Sequence, residues 1–334
     1  MKKILITGAS GFIGSFMVEE ALKQGYEVYA GVRNSSNKSY LTDPAIHFFE
    51  IDFSNRELLK EQFIHHLRKI GRFDCIIHNA GITKSYNKDN FDTVNYQYTK
   101  NLIEVLIENK CVPKKFIYMS SLAAYGPGDE KTMLPVNKSD KPHPVTFYGK
   151  SKLKSEHFIM SLPNFPYIIL RPTGVYGPRE KDFYVVYKTL NRHLELYIGS
   201  SNQQLSFLYV KDLARLIIKI IESEIEARSY FVTDGGHYTA QEFSRLLKAQ
   251  LNKKAIKIVF PGLLVKPIAF CLEKLYAIVG QVPTLNTERY KEISCRNWLC
   301  DGSETFKDFD FKPEFDLSSG LQETIAWYKQ EKLL

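Results

Sequence analysis

The two side chains whose types and spacing most clearly suggest catalysis are Tyr148 and Lys152. They lie four residues apart at the start of a predicted helix. This spacing places both on one helix face, about one turn apart. Moving a hydride to or from a carbinol carbon requires a matching proton transfer at its oxygen, and a phenol of pKa about 10 is a poor base at neutral pH. An ammonium about 4 Å away, at an effective dielectric near 20, is worth roughly 4 kcal/mol, or about 3 pKa units. We therefore expect Lys152 to lower the pKa of Tyr148 toward neutrality.

The position of Tyr148 matters more than the spacing, because Tyr-x-x-x-Lys also occurs at three other places in the chain. Tyr148 follows a predicted strand over residues 116–120, which ends at Ser120 and Ser121. In parallel sheets, ligands bind at the carboxyl ends of the strands. We predict that the Ser121 hydroxyl holds the substrate oxygen at this edge.

A glycine-rich turn follows the first predicted strand and opens the first predicted helix. Glycine permits a tight turn and a close approach of backbone to phosphate, while the helix N-terminus offers free N–H groups and a positive dipole end. Such glycines also occur in plain strand-to-helix turns, but their place in the first strand–turn–helix unit favours a dinucleotide, whose oxidised nicotinamide would assist Lys152. The residues predicted to hold its pyrophosphate are Gly8, Ser10, Gly11, Phe12, Ile13 and Gly14.

The end of the second predicted strand bears on which nucleotide binds. NAD enzymes place Asp or Glu there to bond the ribose hydroxyls, whereas an Arg suits a 2′-phosphate. The segment Gly31 to Ser36 contains Arg33 and no acid. Arg33 can meet a phosphate with a charge-assisted, bidentate pair, so we predict NADP as the preferred cofactor, with NAD possible. The alternative is that Arg33 is a solvated loop residue.

Short runs rich in Ile, Val and Phe alternate with segments of helical spacing through the first half of the chain. The predicted strands are residues 4–7, 27–32, 47–51, 73–78, 116–120 and 167–170, and the predicted helices are residues 12–24, 56–69, 91–109 and 147–161. Strands that are apolar on both faces and separated by helices imply a parallel sheet covered on both sides. The predicted fold class is α/β, with a Rossmann-type doubly wound parallel sheet.

The pattern changes after Arg171 to helices and isolated strands. A helix over residues 211–223 and a strand over residues 229–232 still suit the sheet, and the remainder is predicted to be α-rich. We place a nucleotide-binding domain at residues 1–172 plus about 207–235. A smaller, α-rich C-terminal substrate domain is placed at about 173–206 and 236–334.

Composition narrows the class of protein. The chain has 334 residues, of which 44% are hydrophobic and 25% charged, so it can bury a large core and is not disordered as its main state. The longest apolar candidate, residues 263–279, contains Lys266, Pro267, Glu273 and Lys274, which is too polar for a membrane span. The N-terminus lacks the apolar region that secretion requires, so we expect a cytoplasmic protein.

Cysteine usage and net charge argue against other binding classes. The five cysteines include no Cys-x-x-Cys pair and fit neither a disulfide framework nor a zinc site, so we expect reduced packing residues and no metal. The net charge of +8 is spread along the chain without a run of five or six like charges. This distribution favours a solvated basic surface over a nucleic-acid groove, so no nucleic-acid partner is expected.

Taken together, the motifs resemble those of the extended short-chain dehydrogenase/reductases, also called the NAD-dependent epimerase/dehydratase family. The resemblance runs through nearly the whole chain. Besides the glycine turn and the Tyr148–Lys152 pair, it is carried by Asp52-Phe53, by His78-Asn79-Ala80-Gly81, by Asn95 with Thr99 and Asn101, by Ser120 to Gly126 and by Arg171 to Pro178.

The resemblance implies roles for individual residues. Ser121 would orient the substrate, Tyr148 would be the acid/base, and Lys152 would bind the nicotinamide ribose. Asn95 would be a fourth catalytic residue, with a structural helix asparagine as the alternative. The other implied contacts are with the cofactor at Asp52, Phe53, Asn79, Ala80 and Gly81, and with the substrate at Thr83, Tyr176 and Arg179. Family members often dimerise, which makes a homodimer an expectation from resemblance.

Departures from the family pattern bear on the substrate. The segment Leu122 to Ala124 lacks the acidic pair of the dehydratases, so dehydration is not expected. Gly174 and Leu205 stand where sugar-nucleotide epimerases usually have Asn and a pyrophosphate-binding Arg. The pattern is closest to the branch that includes dihydroflavonol reductases and 3β-hydroxysteroid dehydrogenases. The apolar helix 263–279 would then roof a hydrophobic pocket or pack on the second domain or a partner.

Three functions follow as hypotheses. The leading one is an NAD(P)-dependent oxidoreductase that interconverts a secondary alcohol and a ketone on a small, fairly apolar substrate. The second is a nucleotide-sugar 4-epimerase with tightly bound NAD, which Arg179 and Lys181 keep open as cations for an anionic substrate. The third is a non-catalytic NADP-binding scaffold or sensor, against which the intact Ser121, Tyr148 and Lys152 argue.

Overall fold

Seven parallel strands form the central sheet of the computed structural model, which describes residues 1–334. In chain order they are β1 (Lys3–Thr7), β2 (Glu27–Val32), β3 (His47–Glu50), β4 (Cys75–His78), β5 (Lys115–Met119), β6 (Tyr167–Pro172) and β7 (Arg228–Val232). Their order across the sheet is β7-β6-β5-β4-β1-β2-β3, and every neighbouring pair is parallel. The strand order reverses between β1 and β4, which is where ligands bind in open α/β sheets.

Helices cover both faces of this sheet. Alternate residues of β1 enter different cores, because successive side chains of a strand point to opposite faces. Ile4 and Ile6 belong to a cluster of 28 buried residues, and Leu5 belongs to another of 18. The predicted α/β doubly wound fold is therefore confirmed, and the six strands predicted in the first half lie within two residues of the observed bounds.

The helices alternate with the strands through the first half and dominate the second. Their bounds are Phe12–Lys23, Arg56–Ile70, Asp89–Phe91, Tyr98–Glu108, Phe147–Met160, Tyr184–Asn191, Val210–Glu222, Ala240–Leu251, Gly262–Ile278, Thr287–Ser294, Ser303–Asp308 and Leu317–Gln330. The predicted helix over residues 91–109 is interrupted, since Asp92–Gln97 is a π-helical turn. Such turns are frequent at functional sites.

The C-terminal half has its own core of 12 buried residues. The expectation of an α-rich remainder holds for its helices but missed several short strands. These pair as Gly174–Tyr176 with Phe207–Tyr209, Leu194–Ile198 with Ile256–Phe260, and Gln204–Leu205 with both Tyr238–Thr239 and Asn297–Trp298. Helix Val210–Glu222 packs on helix Phe12–Lys23, and β7 pairs with β6. The division of the chain into two domains stays a prediction.

Two further expectations concern surface chemistry. All five cysteines are free; Cys75, Cys111 and Cys300 are buried, whereas Cys271 is exposed and is not the packing residue that was expected. No helix combines the length and the apolar character needed to cross a membrane.

His66 makes the stability of the fold sensitive to acid. Its ring is buried among Tyr29, Phe49 and Phe73, with ring centroids 5.1, 4.8 and 4.2 Å away, and its Nε2 has no hydrogen-bond partner. Burial, together with the nearby charge of Lys3, lowers the pKa of His66 to about 4. Between the unfolded-state pKa of about 6.5 and the folded-state pKa, His66 is protonated in the unfolded chain but stays neutral in the folded chain. Stability present above about pH 6.5 is therefore lost as the pH falls, by up to about 1.4 kcal/mol per pH unit.

We accordingly expect His66→Phe to flatten the acid limb of the stability profile. Urea unfolding at several pH values between about 6.5 and 4.5 should show the variant gaining up to about 2–3 kcal/mol on the wild type across that range. The neighbouring His65 is exposed, and His65→Gln serves as the control that should leave the slope unchanged. Equal slopes for wild type and His66→Phe would contradict the assignment.

Candidate active site

The glycine turn after β1 is shaped for close contact with a ligand. Gly8 has φ +65°, and a Cβ on Gly14 would lie 2.2 Å from the Gly8 carbonyl oxygen. Gly11 precedes helix Phe12–Lys23 in an extended conformation and offers no side-chain cap. The first-turn N–H groups of the helix are therefore left for another acceptor, which fits the pyrophosphate of a dinucleotide.

The turn after β4 is fixed beside the glycine turn by a buried polar network. Thr7 Oγ1 accepts from the Ala80 N–H at 3.1 Å and is 2.9 Å from His78 Nδ1. The other ring nitrogen of His78 is 2.9 Å from Thr99 Oγ1. Burial lowers the pKa of His78 to about 3, so the ring is neutral at physiological pH. The network places Asn79, Ala80 and Gly81 beside Gly8. The approach is so close that a Cβ added to Gly8 would lie 2.9 Å from the Ala80 nitrogen.

Asn95 lies in the π-helical turn and is buried. Its Oδ1 accepts from the Ile82 N–H at 2.8 Å, and its Nδ2 is 3.0 Å from both the Ile82 carbonyl and Ser151 Oγ. Its side chain thus ties the turn after β4 to helix Phe147–Met160. These contacts fit the structural alternative, in which Asn95 positions other groups rather than reacting itself.

Ser121 and Tyr148 meet where helix Phe147–Met160 approaches the end of β5. Thr146 caps the helix by accepting from the Gly149 N–H at 3.1 Å. A Cβ on Gly149 would lie 2.1 Å from the Ala123 carbonyl oxygen, so a larger residue would push the helix away from the Ser121 segment. Ser121 Oγ accepts from the Ala123 N–H at 3.1 Å, and Ser121 acts on the Tyr148 phenol by lowering its pKa. Sequence reasoning missed Gly149, although it lies inside the Tyr-x-x-x-Lys motif.

Lys152 is buried one turn further along the same helix. Its Nζ donates to the Met119 carbonyl at 2.8 Å and lies 4.9 Å from the centre of the Tyr118 ring. A Cβ on Gly81 would be 3.3 Å from this nitrogen. The ammonium therefore sits between the end of β5 and the turn after β4. Burial lowers its pKa to about 8, and Glu156 opposes that shift.

The expectation that Lys152 lowers the pKa of Tyr148 is wrong for this geometry. Burial raises the pKa of Tyr148 to about 12; Ser121 lowers it, whereas Glu292 and Asp182 raise it further. The ammonium of Lys152 is directed at the Met119 carbonyl rather than at the phenol. At neutral pH Tyr148 is therefore a protonated phenol.

A buried ion pair supports this helix from behind. Glu156 accepts from Arg171 of β6, with Nη2 to Oε2 at 2.7 Å and Nε to Oε2 at 3.0 Å, and also from the Ser120 hydroxyl. The guanidinium carbon of Arg171 lies 4.4 Å from the centre of the Tyr125 ring. The pair fixes the helix against the strand ends β5 and β6. The sequence offered one indication of this pair: Glu156 lies four residues after Lys152 and therefore on the same helix face.

Three further residues predicted to contact the cofactor follow β2 and β3: Arg33 follows β2, and Asp52 and Phe53 follow β3. Asp52 accepts from the Ser54 N–H and hydroxyl at 2.9 and 2.6 Å, and these bonds lower the pKa of its carboxyl group. The Phe53 ring is 5.6 Å from that of His78. Arg33 is exposed, and its guanidinium makes no hydrogen bond or ion pair within the chain.

The predicted substrate residues are not brought together. Tyr176 is fully buried in the C-terminal core and donates to the Asp316 carbonyl at 3.2 Å, so it belongs to packing. Arg179 is also corrected: its guanidinium donates to Ser15 Oγ at 2.9 Å and to Glu19 Oε1 at 2.6 Å on helix Phe12–Lys23. Thr83, exposed on the turn after β4, and the half-buried Ser121 remain available.

Charged groups that sequence reasoning missed lie near Tyr148. Asp182 pairs with Lys84, and Glu292 pairs with Arg289 at 3.2 Å. Both carboxylates act on the phenol of Tyr148 by raising its pKa. No local motif marks these residues, because the tertiary fold brings them to Tyr148 from outside the nucleotide-binding segments.

Known proteins with similar sequences include both epimerases and dehydrogenases. The profile of the NAD dependent epimerase/dehydratase family matches residues 4–232. A UDP-glucose 4-epimerase of Vibrio cholerae is 28% identical over 338 residues, covering 98% of this chain and 96% of that protein. A 3-beta-hydroxysteroid dehydrogenase of Mycolicibacterium neoaurum is 23% identical, covering 98% and 91%.

A solved structure extends the likeness to the whole fold. The UDP-glucose 4-epimerase of Thermus thermophilus, in complex with NAD, superposes with a TM-score of 0.77 at 19% identity, covering 98% of this chain and 99% of that one. The glycine turn, the parallel sheet and the matched segment agree with the resemblance found in the motifs. The chain belongs to the NAD-dependent epimerase/dehydratase family.

Proposed function

We propose that this protein is an NAD(P)-dependent oxidoreductase that interconverts a secondary alcohol and a ketone at Ser121, Tyr148 and Lys152. Membership of the family supports an enzyme, and the specific reaction is our inference. The observation that carries it is the position of Lys152, one helical turn after Tyr148: its buried ammonium donates to the Met119 carbonyl at 2.8 Å at the carboxyl edge of the sheet and faces Gly81. That edge also carries the glycine turn.

The residues divide the work of a ketone reduction. A bound reduced nicotinamide supplies the hydride to the carbonyl carbon. Ser121 holds the carbonyl oxygen by hydrogen bonding, and Tyr148 gives that oxygen a proton, so that ketone, hydride and proton become the alcohol. The raised pKa of Tyr148, about 12, keeps the phenol protonated until the oxygen develops charge. Lys152 would hold the nicotinamide ribose by donating hydrogen bonds to its hydroxyl groups.

Arg33 leads us to propose NADP as the preferred cofactor, although solved relatives are complexed with NAD. The guanidinium is exposed and uncommitted, and no acid occurs between Gly31 and Thr42 to repel a 2′-phosphate. A charge-assisted hydrogen bond is worth about 1.5–3 kcal/mol, which is roughly 10- to 150-fold in affinity.

We expect Arg33→Ala to weaken NADPH binding by at least about tenfold while leaving NADH binding within about twofold. Fluorescence titration of both nucleotides measures the change. Lys38→Ala is a matched control in the same loop, because the Lys38 ammonium is held 4.6 Å from the Phe48 ring centre and should not contribute. Tighter binding of NADH than NADPH by the wild type would refute the proposed preference.

A nucleotide-sugar 4-epimerase is the second candidate. It is favoured by the similarity to the Vibrio cholerae enzyme and by the charged groups near Tyr148. Against it, Leu205 supplies no cation for a pyrophosphate, and Arg179 is committed to Ser15 and Glu19. In this reaction hydride would leave and return within one turnover, so no net oxidation would appear.

One experiment separates the two candidates. Freshly purified protein is denatured, any released nucleotide is identified, and the protein is assayed with ketones plus NADPH and with UDP-glucose. Release of little nucleotide together with NADPH consumption supports the oxidoreductase. Stoichiometric NAD together with conversion of UDP-glucose to its 4-epimer would replace it with the epimerase.

A further inference from the structure

Helix Gly262–Ile278 lies on the surface with an unusual share of its apolar side chains exposed. Only Val265 and Ala269 of this helix are buried. Leu263 and Ile278, near its two ends, are 89% and 81% exposed. The exposed apolar helix face consists of Leu263, Leu264, Ile268, Phe270, Leu275 and Ile278. Contiguous apolar surface of this kind marks an interaction site.

The chain segment that contains this helix is mostly positively charged. Residues 252–285 contain five lysines and a single acid, Glu273. The carboxylate of Glu273 is already engaged, accepting from the Thr287 N–H at 3.0 Å and lying 3.7 Å from Lys88 Nζ. The charged side chains exposed on the helix itself are therefore Lys266 and Lys274. The surface is complementary to an anionic partner.

Helix Gly262–Ile278 is also linked to the start of helix Phe147–Met160, which carries Tyr148. Its Glu273 holds the start of helix Thr287–Ser294, and Glu288 of that helix accepts from the Phe147 N–H at 2.6 Å. Phe147 immediately precedes Tyr148. The exposed apolar helix face is therefore held on the part of the molecule that adjoins the candidate active site.

We propose that the exposed apolar helix face inserts into the headgroup region of an anionic lipid bilayer, with Lys266 and Lys274 contacting lipid phosphates. Helices that lie in a membrane interface combine an apolar face with lysines that meet anionic lipid. A second copy of this chain fits less well, because a two-fold contact through this face would bring four lysines together without an acid to pair them. The inference goes beyond the proposed function and does not depend on it.

Vesicle binding of the full chain tests the proposal. The protein is mixed with vesicles of phosphatidylcholine alone or of phosphatidylcholine with phosphatidylglycerol, and bound protein is measured by flotation. The exposed Cys271 on this helix accepts an environment-sensitive fluorophore, whose emission should shift to the blue on binding. We expect binding to the mixed vesicles to be at least about tenfold tighter than to the neutral ones, since each lysine near an anionic surface is worth about fivefold.

Two pairs of variants separate the apolar and the ionic contributions. Leu263→Gln with Ile278→Gln should reduce binding at least about tenfold, whereas Leu134→Gln, at a residue 66% exposed elsewhere, should not change it. Lys266→Glu with Lys274→Glu should remove the preference for anionic vesicles, and the charge-matched Lys69→Glu with Lys312→Glu should retain it. Circular dichroism confirms that each variant is folded.

Two outcomes would overturn the proposal. One is the absence of binding to mixed vesicles by the folded wild type. The other is a dimer in lipid-free solution that Leu263→Gln with Ile278→Gln dissociates, which would assign the face to a second copy of the chain.

Discussion

Tyr148→Phe is expected to lower the rate of ketone reduction by about 10²- to 10⁴-fold, the usual contribution of a positioned general acid. The phenylalanine ring keeps the packing but removes the proton that, in the proposed mechanism, Tyr148 gives to the substrate oxygen. Nucleotide affinity should stay within about twofold, because the glycine turn and Lys152 are unchanged. Steady-state kinetics and nucleotide titration measure the two effects separately.

The chain offers a matched control for this substitution. Tyr96 also precedes a lysine by four residues, Lys100, but its ring packs against Phe158 at 6.3 Å on the neighbouring helix. Tyr96→Phe should leave turnover unchanged. Normal turnover in Tyr148→Phe would contradict the proposed acid, and nucleotide binding without turnover in the wild type would favour a scaffold or sensor.

Arg171→Leu is expected to cost about 3–5 kcal/mol of unfolding free energy, because it strands the Glu156 carboxylate in the core. Glu156 and Arg171 have side chains only 0% and 2% exposed, so water cannot replace the lost partner. Removing both charges in Glu156→Leu with Arg171→Leu should recover most of the loss, since a buried pair and an apolar pair of similar volume are often close in stability. Urea unfolding followed by circular dichroism gives the free energies.

An exposed ion pair between helix Phe147–Met160 and the π-helical turn provides the comparison. Lys154 and Asp92 are 2.8 Å apart, with side chains 49% and 53% exposed. Lys154→Leu should therefore cost less than about 1 kcal/mol. A loss in Arg171→Leu no larger than that in Lys154→Leu would show that the buried pair does not support the helix as proposed.

Local pattern was sufficient for the sheet and for the glycine turn. Short apolar strands separated by amphipathic helices leave few solutions other than a parallel sheet, and the structure places Gly8 and Gly14 where a Cβ would collide. The Tyr148 and Lys152 positions follow from helical spacing once Thr146 begins the helix. Each of these features depends on residues close together in sequence.

Residues far apart in sequence were the ones misjudged. Tyr176 and Arg179 match a motif, yet one enters the C-terminal core and the other reaches across to Ser15. The pKa of Tyr148 was expected to fall because a lysine lies one turn away. It rises because burial and two carboxylates from distant segments outweigh a lysine whose ammonium points at the Met119 carbonyl.

The sequence by itself therefore determined the fold class and the family, and it supplied Tyr148 and Lys152 as the proposed reactive pair, because periodicity and short motifs are properties of neighbouring residues. Only the tertiary structure decided that the pKa of Tyr148 is raised, that Asn95 is engaged by the chain itself, and that helix Gly262–Ile278 leaves its apolar side chains exposed. Burial, and the charges that meet in a buried place, depend on how distant segments pack.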